Sequence, residues 1–90
     1  MDSKSYLDSL NKRFIHYEKL MIALEDVSDK NSFDELSKEL MENIFFDKKK
    51  HEEFVRSNGY LNPIEKVYND LSYCHFKTMN FFNVFRELKF

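Results

Sequence analysis

Ninety residues carry a formal net charge of −2, with one glycine, one proline and one cysteine. A single cysteine excludes an internal disulfide. The scarcity of Gly and Pro argues against a β fold with many turns, and the charge gives no global attraction to nucleic acid. Ten Phe and five Tyr stand among the 42% hydrophobic residues. Each such ring buries about 150–250 Å², so rings supply area that a chain this short would otherwise lack.

The chain reads as one domain, 1–90, an all-α antiparallel bundle of three long helices over about 5–27, 32–57 and 62–89, either monomeric or dimeric. In the first segment Leu7, Leu10, Phe14, Tyr17, Met21 and Leu24 recur at alternating spacings of three and four. That places them on one helix face. Ser3 or Ser5 is the expected cap. Val27 to Ser32 is a turn, and Ser32-Phe33-Asp34-Glu35 has the Ser-x-x-Glu form of a capping box.

Phe33, Leu36, Leu40, Ile44, His51 and Val55 give the second helix its stripe, which is polar in the middle at Asp47 to Lys50. Gly59 is the expected left-handed terminator. Asn62-Pro63 opens the third helix as cap and first residue. Ile64, Val67, Leu71, Cys74, Thr78, Phe81, Phe85 and Leu88 then run without a breaker. All of these stripe residues except His51 and Thr78 are expected in the core.

Candidate chemistry is sparse. His16, His51, His75 and Cys74 show no close pair of the kind structural zinc uses, so no metal and no cofactor is expected. Asp47 and His51, four apart, amount to half a metal site or a surface hydrogen bond. Cys74 sits on the stripe, where a thiol is a small inert hydrophobe. His75 points away from it and is expected at the core edge beside Tyr68 and Phe82. No Gly-rich phosphate loop occurs. His16 is followed by Tyr17-Glu18-Lys19, which is not the pattern of a phosphotransfer histidine. The expectation is a protein that is not an enzyme.

Two charged segments and a surplus of rings remain. Lys48, Lys49, Lys50 and Arg56 form the one basic segment. It supports an alternative nucleic-acid reading, but consecutive lysines spread around a helix and Asp47, Glu52 and Glu53 dilute them, so nucleic acid is not the expected partner. Glu35, Glu39 and Glu42 belong to an acidic stretch that suits a basic protein surface. Phe45 and Phe46 on the second helix, and Tyr73, Phe76 and Asn80 on the third, lie off the apolar stripes. Large exposed rings mark interfaces.

These residues point to a small regulator, adaptor or inhibitor that acts by occupying the surface of a protein partner, with self-association also allowed. A bundle of the bacteriocin-immunity or chaperone kind is a remote alternative, without a matching motif. The Lys-, Asn- and Phe-rich composition suggests an AT-rich genome and hence a phage or mobile element. No signal-peptide core is visible, and no apolar run approaches the ~18 residues of a membrane span, so the expected location is the cytoplasm.

Overall fold

The computed structural model describes residues 2–90, which form three helices and no strand. They are α1 (Ser3–Glu25), α2 (Lys30–Asn58) and α3 (Asn62–Lys89). The all-α three-helix bundle expected from periodicity is therefore the fold. Twenty-eight residues at 1.5 Å rise make a rod of about 42 Å, and the bundle measures 44 × 17 × 16 Å.

Contacts between helices fix the antiparallel order. Tyr6 near the start of α1 meets His51 and Phe54 near the end of α2. Phe33 near the start of α2 meets Phe82 near the end of α3. The core is Tyr6, Leu10, Tyr17, Leu20 and Leu24 of α1, Phe33, Leu40, Ile44 and Phe54 of α2, and Ile64, Leu71 and Phe82 of α3.

The helix starts differ from the sequence expectation. Asp2, not Ser3 or Ser5, caps α1 by accepting from the Ser5 amide at 2.8 Å. Asp29, not Ser32, caps α2. It accepts from the Ser32 amide at 2.8 Å and from Ser32 Oγ at 3.0 Å, so the Ser-x-x-Glu box is not used. A carboxylate accepts better than a hydroxyl from an amide, and it also meets the positive end of the helix dipole. Hydrogen bonding to Ser32 holds the Asp29 carboxyl below its usual range. The start of α3 has no side-chain cap, and Asn62 is its first residue. Gly59 ends α2 with φ +75°, and its amide donates to the Val55 carbonyl at 2.7 Å. Only glycine takes that backbone conformation without a Cβ penalty.

The core also differs. Leu7, Phe14 and Met21 are half-buried, whereas Tyr6 and Leu20 take the centre of α1. On α3, Phe82 is 2% exposed and Phe81 44%, and Leu88 is wholly outside. Leu36, Val55, Val67, Cys74 and Phe85 are half-buried. A straight α-helix drifts about 20° per heptad against a strict seven-residue repeat. By the end of α3 that drift has carried the seam from the Phe81 side to Phe82.

Candidate functional site

The polar middle of α2 does not face solvent. Asp47 and His51 are both buried, one turn apart, and each gathers partners from the other two helices. Asp47 Oδ1 accepts from Arg13 Nε of α1 at 2.5 Å. Its Oδ2 accepts from the Tyr17 hydroxyl of α1 and from His75 Nε2 of α3 at 2.9 Å. Arg13 also donates to Asn43 Oδ1 at 2.8 Å, and Asn43 donates to the Glu39 carbonyl at 2.8 Å. The Phe46 ring lies 5.0 Å from the Arg13 guanidinium and covers it.

Burial alone would raise the Asp47 carboxyl, but hydrogen bonds from His75, Tyr17 and Arg13 outweigh it and leave the group below its usual range. Burial and the neighbouring Asp47 push the Tyr17 phenol well above its ordinary value. It stays a donor at any physiological pH.

One turn along, the Tyr6 hydroxyl donates to His51 Nδ1 at 2.8 Å, and His51 Nε2 donates to Glu65 Oε2 at 2.5 Å. The imidazole stacks on Tyr68 with centroids 3.7 Å apart and planes 4° from parallel. Tyr6 in turn stacks on Phe54 at 4.3 Å. Burial raises the Tyr6 phenol too.

These two clusters correct the sequence reading of Asp47 and His51 as a surface pair. The two side chains share no ligand position: each turns to its own set of partners. His75, expected at the core edge, is a buried partner of Asp47. Among the described residues no group of three or more His, Cys, Asp or Glu is placed to hold a metal ion. Cys74 is half-buried and apart from both clusters, and burial raises its thiol. Sequence reasoning missed Tyr6 and Arg13 because it ranked α1 by hydropathy alone, and it placed Tyr17 in the core without foreseeing its bond to Asp47. The available signal was the seven-residue match of Tyr6, Arg13 and Leu20, with Arg13 a long apolar stem bearing a charge.

The rings singled out from sequence are outside. Phe45 is 69% exposed, Tyr73 64%, Phe76 58% and Phe46 49%. They do not form one surface. Phe45, Phe46 and Met41 line a shallow groove of ≈ 710 Å³ on the outer face of α2, with Lys38, Glu42 and Lys49 around them. Glu35 and Glu39 are exposed on the same helix. Tyr73 lines a second groove of ≈ 380 Å³ between α1 and α3, with Met21, Asp70, Cys74, Lys77 and Phe81. Phe76 and Asn80 are exposed on α3 and line neither groove.

The basic segment is divided. Lys49 borders the α2 groove, and Lys50 borders a different cavity beside Tyr6 and Phe54. Lys48 and Arg56 are exposed. Among the described residues, no helix is long and apolar enough to cross a membrane. No protein-family model matches the chain, and no curated protein or solved structure does.

Proposed function

We propose that this chain is a non-enzymatic protein-binding module that acts by laying the outer face of α2 on a protein partner, as a regulator, adaptor or inhibitor. The observation that carries this reading is the exposed cluster of Met41, Phe45 and Phe46 in one groove, where Met41 and Phe45 contribute nothing to the core and Phe46, half-exposed over Arg13, shows its outer side to solvent. Lone exposed apolar residues are ordinary. Three large ones side by side, rimmed by charge, have the make-up of an interface centre.

Buried rings dominate interface energetics, so Phe45 and Phe46 are the anchors, while Glu35, Glu39 and Glu42 orient the partner and speed encounter. The buried clusters beneath serve this role by holding α2 in one register. Arg13 links the two levels, since it binds Asp47 below and lies under Phe46 above.

The test is affinity capture from the native host with the wild-type chain and with Met41→Ser/Phe45→Ser. Both residues are exposed, and the pair leaves Phe46 over Arg13. A discrete partner retained by the wild type and lost by the double variant, with helicity unchanged, supports the reading. A partner retained equally by both rejects α2 as the binding face.

A further inference from the structure

We propose that a second copy of this chain covers the α1–α3 groove, in an antiparallel dimer whose twofold axis passes beside Tyr73 and Cys74.

The heptad residues give the first reason. Half of each series closes the core: Leu10, Tyr17 and Leu24 of α1, and Ile64, Leu71 and Thr78 of α3 are buried. The other half closes it only in part: Leu7, Phe14, Val67 and Cys74 are half-buried against the core, Met21 is half-buried, and Phe81 and Leu88 are exposed. Met21, Cys74 and Phe81 line the groove, which α1 and α3 form without any residue of α2. A sustained seven-residue apolar repeat is the pattern of a helix with another helix lying along it. In the single chain, Phe81 and Leu88 of that repeat are left exposed, with Met21 half-buried beside them.

Charge supplies the second reason and selects a copy of the same chain as the occupant. Asp70 and Lys77 rim the groove seven residues apart, both exposed. Neither belongs to any of the three ion pairs among the described residues. In an antiparallel pair about a twofold axis, facing positions have a constant sum. An axis between 73 and 74 sets Asp70 opposite the second copy's Lys77, and Lys77 opposite the second copy's Asp70. A twofold interface must be self-complementary in this way. The same register lays the end of α3, where Leu88 is 80% exposed, beside the second copy's α2–α3 turn, where Tyr60 is 76% exposed.

Sedimentation velocity on the purified full-length chain, over a dilution series, tests this directly. The expected mass at the concentrated end is twice 11.0 kDa. Asp70→Lys alone and Lys77→Asp alone each weaken the dimer on the order of tenfold, because each juxtaposes like charges twice. The combined exchange restores it. Both sites are exposed, so circular dichroism should show all three variants folded. A single-chain mass at every concentration overturns the proposal, and so does a combined exchange no tighter than either single change. Dimer and α2 partner use different faces. Met41→Ser/Phe45→Ser leaves this dimer intact, so failure of one reading is told apart from failure of the other.

Discussion

His75 of α3 and Asp47 of α2 are joined through the core, with Nε2 2.9 Å from Oδ2, and Tyr17 of α1 donates to that same carboxylate oxygen. One atom thus ties three helices. Apolar side chains tolerate sliding along a bundle, whereas a buried carboxylate with three fixed donors allows one axial alignment. Its role here is to set register, as single buried polar residues do in coiled coils.

Removing that carboxylate strands its partners. Asp47→Ala leaves Arg13 Nε, the Tyr17 hydroxyl and His75 Nε2 without an acceptor in the interior, although Arg13 keeps its bond to Asn43. Breaking a buried ion pair from one side costs about 3–5 kcal/mol, a large share of the stability of a domain this size. Urea unfolding should show the free energy extrapolated to water falling by that amount, or the variant unfolded without denaturant.

Acid should weaken the wild type by the same route. The Asp47 carboxyl is held below its usual range in the folded chain, burial being outweighed by the bonds from His75, Tyr17 and Arg13. A depressed carboxyl contributes stability that is present above the unfolded value of about 3.9 and is lost as pH falls through the lower folded value. The unfolding midpoint should therefore drop below about pH 4. Asp47→Asn, compared with the wild type over the same range, should show a shallower acid limb.

Tyr6→Phe isolates the second cluster. The ring keeps its stack on Phe54 at 4.3 Å, but His51 Nδ1 loses the hydroxyl that donates to it at 2.8 Å. A buried group left without its partner costs about 1–3 kcal/mol. Thermal unfolding should register that loss with helicity unchanged.

Phe81 and Phe82 give a paired test of where the seam lies. Phe82 stands in the core 6.0 Å from Phe33, so Phe82→Ala should cost about 3–5 kcal/mol. Phe81→Ala, read at dilutions where the chain is a monomer, should cost under about 1 kcal/mol. Equal losses would return Phe81 to the core.

Periodicity, Asn62-Pro63 and Gly59 carry enough information to give three helices, their order and their joints. They do so because apolar spacing and breakers act locally. The caps at Asp2 and Asp29 were open to view, but Ser32-x-x-Glu35 offered a competing start three residues on. The choice between them depends on which acceptor meets the first free amides. The buried polar clusters were hidden for another reason. Asp47 reads as part of a polar mid-helix segment, His51 as a polar member of the α2 stripe and His75 as a core-edge residue, and only the packing of three helices shows that each finds partners inside. The exposure of Phe45, Phe46, Tyr73 and Phe76 was legible, since each lies far from its helix's stripe. Their division between two grooves was not, because it depends on how α2 and α3 are rotated against each other.

The most direct measurement is photo-crosslinking in the native host from a benzoylphenylalanine placed at Phe45, against a control at exposed Lys12 on α1. The account predicts one discrete protein adduct from position 45, lost when Met41→Ser is added, and none of that mass from position 12. The same adducts from both positions, or none from position 45, would contradict it.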